Sequence, residues 1–401
     1  VTERLAFHGV SNNNFDEKGE RQMKDQLATD VTDRFIGCLL GGAVGDALGA
    51  PIEFMTRREI VRRFGPSGVR DYVPVYGGIG RITDDTQMTL FTADGVIRSA
   101  VRDEHKGITT VEGVTAHAYL RWLLTQGERP DNDLVFGMEI PGWLYPLPAL
   151  HARRAPGNTC LSALKAMRHL GDPARNNSKG CGGVMRVAPI GLWMAGRTTP
   201  ADTELCFKVA CDIAGLTHGH PTGQLSAGVM AVLVQLLASG ETLGSALSTA
   251  VEILRQHPDR RETMAAVETA MSLAEDLPGM DMPTESEHVR DIKKLGEGWV
   301  AEEALAISIY CAMVAVDFEH GVCLSVNHSG DSDSTGSMTG NLLGCIWGQT
   351  GIPVRWLADL EMRDEIERVA KDLRHFVSAD WNEATEPTID ADETWQRYPG
   401  Y

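Results

Sequence analysis

A chain of 401 residues, 43% of them apolar, is long enough for one large domain or two and apolar enough to bury a core, which excludes a wholly disordered protein. Its 55 acidic against 37 basic side chains leave a formal charge of -18, which opposes bulk binding to nucleic acid or an anionic membrane yet leaves room for one small anionic ligand. The eight cysteines include no Cys-x-x-Cys pair and several lie in apolar stretches, so they read as reduced thiols. Val1-Thr2-Glu3-Arg4 has no apolar segment behind it, and the near-apolar stretch 225–239 is too short for a bilayer, so a cytoplasmic protein is expected.

Residues 1–33 are polar, with Asn12-Asn13-Asn14 and a charged run at 16–21, and read as an extension ahead of a helical domain over 34–375. Apolar residues at three- and four-residue spacing predict helices over 34–50, 86–100, 111–125, 159–170, 202–215, 222–239, 242–256, 261–276, 301–317, 336–348 and 356–375. Strand alternation is scarce; Tyr72-Val73-Pro74-Val75-Tyr76 is the best candidate, and its proline makes it an edge piece or a loop. An all-α fold follows. Long connections over 55–82, 127–158, 171–187, 277–298 and 318–335 are rich in Gly, Pro and Asp and suit the walls of a ligand site. The charged segment 277–298 lacks a clear apolar face and reads as a surface excursion, and the acidic tail 376–401, with Trp381, Trp395 and Tyr398, is expected to dock onto the body.

Glycine recurs at every fourth position in two places, Gly37, Gly41, Gly45 and Gly49, and again Gly336, Gly340, Gly344 and Gly348. Each set lies on one helix face, where a second backbone can come close. Interior glycine costs a helix about 1 kcal/mol per position, so a packing need is implied. The two helices can pair with each other, drawing Asp46 and Glu53 towards Asp331 and Asp333, or each can pack on something else.

Thr83-Asp84-Asp85-Thr86 and Asp331-Ser332-Asp333-Ser334-Thr335 each precede an apolar helical run. Alone, each suits an ordinary capped helix start. Together they supply the hard oxygen donors that magnesium-like ions take in preference to zinc or copper. The second cluster imitates the start of an EF-hand loop but carries Leu342 at the twelfth position, where a bidentate Glu is required. Gly41-Gly42-Ala43-Val44-Gly45 follows no strand and is no dinucleotide fingerprint. His218-Gly219-His220 has no zinc-site partners and suits a pocket-lining or structural role. Ser178-Lys179-Gly180-Cys181-Gly182-Gly183 is either a plain loop or an anion nest.

In order and spacing, Gly41-Gly42-Ala43-Val44-Gly45-Asp46-Ala47-Leu48-Gly49 with Glu53, Thr83-Asp84-Asp85-Thr86, Gly182-Gly183-Val184-Met185-Arg186-Val187-Ala188-Pro189, Thr217-His218 and Gly330-Asp331-Ser332-Asp333-Ser334 resemble the ADP-ribosylglycohydrolases, including the dinitrogenase reductase activating glycohydrolases. The resemblance implies a single helical domain, two magnesium or manganese ions in a cleft, and removal of ADP-ribose from a modified protein side chain, arginine first among the choices. Carried over by position, it implies Thr83, Asp84, Asp85, Asp331, Asp333 and Ser334 as metal ligands and Glu53, Asp84 and Asp333 as catalytic groups. Asp46, Gly157, Thr159, Gly180, Cys181, Gly182, Gly183, Met185 and His218 become substrate contacts, and the stretch Arg154-Ala155-Pro156-Gly157-Asn158-Thr159 a further ligand wall. Many relatives carry Thr in place of Ser334 and Asn in place of Cys181. Some bacterial relatives act as immunity proteins, so a second expectation is that residues 1–33 block an ADP-ribosylating toxin.

Overall fold

The structure, a computed structural model, describes residues 30–134, 142–276, 284–376 and 391–400. Its helices, in chain order, are α1 (Val31–Gly49), α2 (Arg57–Phe64), α3 (Asp84–Lys106), α4 (Val111–Thr125), α5 (Asn158–Ala166), α6 (Ala188–Trp193), α7 (Pro200–Gly215), α8 (Pro221–Ala238), α9 (Leu243–Arg255), α10 (Arg261–Glu275), α11 (Glu285–Leu295), α12 (Ala301–Val314), α13 (Phe318–Val326), α14 (Ser332–Trp347), α15 (Val354–Asp359), α16 (Arg363–His375) and α17 (Ala391–Arg397). They form one all-α domain, and no strand occurs among the described residues.

The glycine faces of α1 and α14 pack on each other. A Cβ added to Gly41 would stand 2.3 Å from the Gly340 carbonyl oxygen, one on Gly45 2.0 Å from that of Gly336, and one on Gly37 2.4 Å from that of Gly344. The pair is therefore antiparallel and in backbone contact, a distance that only hydrogen at Cα permits. Gly348 ends α14 as a cap with φ +67, and its carbonyl carbon would stand 2.5 Å from a Cβ on Gly37. Because the pairing is antiparallel, the C-terminal end of α1, with Asp46, meets the N-terminal end of α14, with Asp331 and Asp333. At the opposite end Arg34 is buried and donates to the carbonyls of Cys345 (2.8 Å) and Leu237 (3.3 Å).

Around this pair, α8 is the apolar core helix. By length and composition Pro221–Ala238 could cross a membrane, but 89% of that window is buried inside the protein. All eight cysteines are free thiols. The last described residues lie on the body: Tyr398 is buried and its hydroxyl donates to Asp372 (2.7 Å), Arg397 pairs with Asp372 (3.0 Å), and the Pro399 carbonyl accepts from Arg98 (3.0 Å). Trp381 and residues 1–29, which hold most of the expected N-terminal arm, are outside the described residues.

Several expected loops contain helices. Segment 277–298 holds α11, whose inward side is His288, Asp291, Ile292 and Leu295, all buried at three- and four-residue spacing. The flanking Glu, Arg and Lys residues conceal that narrow face in the sequence. Likewise α2 falls in 55–82 and α13 in 318–335. The expected helix 356–375 is two, broken where Met362 takes a left-handed φ of 59. Tyr72 to Tyr76 makes no strand, only one isolated bridge between Val75 and Gly78.

Candidate functional site

Asp46 organises one wall. It is fully buried, and its carboxylate accepts from the backbone N–H of Thr83 (3.0 Å) and Thr86 (3.1 Å) and from the Thr86 hydroxyl. An acceptor from α1 thus holds the N-terminus of α3, and Thr83 itself caps that helix by accepting from the Asp85 N–H (3.3 Å). Both oxygens of Asp46 take hydrogen bonds from the loop, so this carboxylate positions it.

Arg154 acts on the same loop from the other side. Its guanidinium donates to the Ile82 carbonyl (2.6 Å) and grips Glu361 through two nitrogens, the second contact at 3.1 Å, while Arg81 also pairs with Glu361. Burial raises the Glu361 pKa, but Arg154 and Arg81 outweigh it and hold the carboxyl below its ordinary value. Within the stretch 154–159, Arg154 therefore braces the loop. Glu361 was not legible in the sequence, because nothing near it marks it apart from any surface glutamate. Glu361→Gln is expected to cost about 2 kcal/mol in urea unfolding, by leaving two guanidiniums short of a partner.

The second wall is the start of α14. Asp331 is its N-cap, and Asp333 and Ser334 fall in the first turn; all three are buried. The Ser334 N–H donates to Asp333 (3.1 Å), and the Cys181 thiol donates to Asp331 at 2.7 Å. Ser334 Oγ lies 3.6 Å from Cys181 Sγ and 3.8 Å from Met185 Sδ. Glu53, just beyond α1, closes the cluster: oxygens of Glu53, Asp331 and Asp333 all lie within 4.8 Å of one another. Asp84 faces the same cluster and accepts from the Gly157 N–H (3.2 Å) ahead of α5.

Six carboxylates, those of Asp46, Glu53, Asp84, Asp85, Asp331 and Asp333, are thus buried together, and none pairs with a Lys or Arg among the described residues. Burial first, and repulsion from Asp333 next, raises the pKa of Asp46 to about 7 and that of Glu53 to about 11, and lifts Asp84 and Asp85 well above their ordinary values. Asp331 and Asp333 are raised too, burial being the main cause. Glu53 Oε2 and Asp85 Oδ1 are buried without any hydrogen-bond partner. Buried anions without counter-charge are strongly unfavourable, and orphaned hard oxygens are what a divalent cation needs. The donor set fits a magnesium-like ion.

The Gly-rich loop forms the third wall. Lys179 is held by Glu262 (2.8 Å) and by Glu302, so it braces the loop. The N–H of Gly180 donates to Ser178 Oγ (3.3 Å) and that of Cys181 to the Trp299 carbonyl (3.2 Å). Thr159 Oγ1 is 3.2 Å from Ser178 Oγ, tying α5 to this loop. His218 is buried beneath the turn: a Cβ on Gly180, Gly182 or Gly183 would meet its ring at 3.4, 3.2 and 3.2 Å. Its Nδ1 is 2.8 Å from Thr217 Oγ1, which accepts from Arg186 (2.6 Å). His218 therefore supports the loop, and His220 caps α8 through the Thr222 N–H (3.1 Å).

Burial, assisted by Arg186, pushes the His218 pKa down to about 3. Its folded pKa lies below the unfolded value of about 6.5, so the unfolded chain binds the extra proton between those values and stability falls as pH drops through that window. His218→Gln is expected to flatten the acid limb of a stability–pH curve by up to about 1.4 kcal/mol per pH unit there. An unchanged slope would contradict the buried neutral imidazole.

A family model described as ADP-ribosylglycohydrolase matches residues 27–382. The ADP-ribosyl-[dinitrogen reductase] glycohydrolase of Rhodospirillum rubrum is 27% identical over 344 residues, 84% of this chain and 93% of its own length. The ADP-ribosylarginine hydrolase Tri1 of Pseudomonas putida is 24% identical, covering 85% of this chain and 78% of its own. A solved structure titled as an ADP-ribosylglycohydrolase-related protein complex aligns with TM-score 0.60 and 26% identity over 87% of this chain and 99% of its own. The match over most of the described fold, with the acidic motifs gathered in one buried cluster, means that this chain belongs to the ADP-ribosylglycohydrolase family and is a hydrolase of ADP-ribosyl conjugates.

Proposed function

We propose that the protein reverses mono-ADP-ribosylation by hydrolysing the glycosidic bond between ADP-ribose and an arginine side chain of a modified protein, releasing ADP-ribose. The observation that carries this reading is the meeting of six buried carboxylates, from three separate segments, at one end of the α1–α14 pair. Arginine is favoured over other linkages because the relatives named above include one for ADP-ribosylarginine. The eight free thiols support a reducing, cytoplasmic setting.

Thr83, Asp84, Asp85, Asp331, Asp333 and Ser334 would hold two magnesium ions, or manganese in their place. Such ions, when bound, polarise ribose hydroxyls and lower the pKa of water. The chain's own contribution is positional and electrostatic. The carboxylates favour the positive charge that develops at the anomeric carbon, as in glycoside hydrolysis generally. Asp84 or Asp333 accepts the proton of the attacking water. Glu53, next to a buried acidic cluster, can carry a proton for the departing side chain. The N–H groups of Gly182 and Gly183 would hold the diphosphate, and Cys181 and Met185 the distal ribose.

The test uses purified protein with arginine- and serine-ADP-ribosylated substrates in Mg, Mn or EDTA, alongside Asp84→Ala and Glu53→Gln. Metal-dependent release from the arginine substrate, lost in Asp84→Ala and reduced in Glu53→Gln, is expected. Release from the serine substrate alone would overturn the linkage assignment.

A further inference from the structure

We infer that the basic face of α2, beside the acidic cluster, is a docking surface for an acidic stretch of the protein that carries the ADP-ribosyl group; the inference rests on the function proposed above. Helix α2 reads Arg57-Arg58-Glu59-Ile60-Val61-Arg62-Arg63-Phe64, with four arginines and one glutamate, in a chain of net charge -18. Ile60 is the residue that anchors it in the core. Arg58, Arg62 and Arg63 are exposed, the Arg62 side chain at 70%.

Helix stability alone does not account for this pattern. Arg62 and Arg63 suit the last turn and Arg57 donates to the Pro66 carbonyl (2.7 Å), but Arg58 stands in the first turn, where the helix dipole favours anions. The internal counter-charge is weak. Glu59 closes the capping box with Thr56 through the Thr56 N–H (2.8 Å) and lies only loosely against Arg62, at 3.8 Å. Arg63 lies over the Phe64 ring at 5.0 Å, an arrangement that leaves its charge uncancelled.

Position supplies the second argument. The helix cap, Thr56, stands three residues after Glu53, and the Arg57 N–H donates to Ser329 Oγ (2.9 Å), two residues before Asp331. Between Glu53 and the cap stands Phe54, 71% exposed and stacked on Trp299 with ring centroids 5.6 Å apart. Exposed aromatics beside arginines are the composition that protein interfaces favour. An eight-residue helix is roughly 12 Å long, so its charges stand within reach of residues flanking a side chain that enters the cleft. A nucleic acid would meet the long-range repulsion of the whole acidic molecule, whereas an acidic patch on a folded protein engages the basic strip locally.

Two peptides of equal length, each with one ADP-ribosylated arginine, would be compared, one flanked by Glu and Asp, the other by Gln and Asn. Wild type is expected to favour the acidic peptide roughly tenfold in kcat/KM, through KM, with the preference fading at high salt. R58E/R62E/R63E is expected to lose it and R58K/R62K/R63K to keep it. Anisotropy with the unmodified peptides reads docking without chemistry: if neither modified peptide is cleaved but the acidic one still binds better to wild type than to the reversed variant, the activity reading falls and the docking surface stands. Equal binding of both peptides, or a preference that survives charge reversal, overturns the proposal. Tighter binding of a single-stranded oligonucleotide, lost on reversal, overturns the assignment to a protein partner.

Discussion

Gly340→Val is expected to yield no stably folded protein, and Gly45→Ala to lose about 3 kcal/mol or more in urea unfolding. A Cβ at position 340 would stand 2.0 Å from the Gly41 carbonyl oxygen, and one at position 45 would stand 2.0 Å from that of Gly336. Both obstacles are main chain inside helices, so no side-chain rotation relieves them. The helices must separate, and with them Asp46 and Asp333. Gly244→Ala is the internal control: nothing lies within 4 Å of its added Cβ, so it should be neutral or stabilising by up to about 1 kcal/mol. Equal effects at positions 45 and 244 would show that the glycine stripe reflects composition and not packing.

Asp333→Asn is expected to move activity and stability in opposite directions. Hydrolysis should fall on the order of 10³-fold, since a candidate ligand and proton acceptor is lost. In EDTA, however, the variant should be more stable by about 1 kcal/mol, because Asp333 repels Asp46, Glu53, Asp84 and Asp85 in the metal-free site. The pH dependence has a matching sign. Asp46, at about 7 in the folded state, keeps a proton that the unfolded chain releases near pH 4, so its part of metal-free stability is present below that pH and is lost as pH rises towards 7. Divalent ions should remove this loss and release protons on binding. Thermal denaturation of wild type and variant, with and without Mn, reads all of it. A variant less stable than wild type in EDTA would contradict the repulsive cluster.

The central helix pair was legible because glycine at every fourth position is costly in a helix and so demands a reason; what the sequence left open was the partner, which the Cβ distances identify. The two acidic clusters were legible for the same kind of reason: oxygen donors exceeding what capping requires. Helices α2 and α11 were not, since each buries a narrow face among charged neighbours, as Ile60 does alone in α2, and α13 was not because it is short and flanked by Gly- and Asp-rich sequence. Nor were the braces. Arg154 with Glu361 and Lys179 with Glu302 join residues far apart in the chain, and an arginine near a Gly-rich stretch reads as an anion ligand until its partner is seen. His218 shows the same limit, because its neighbours in sequence do not reveal that a glycine turn lies on its ring.

The most direct test of the proposed metal site is anomalous diffraction from crystals soaked in Mn. Two peaks within the ring of Thr83, Asp84, Asp85, Asp331, Asp333 and Ser334, absent in Asp84→Ala crystals, are the predicted result. No peak among those residues, or peaks that persist in the variant, would contradict it.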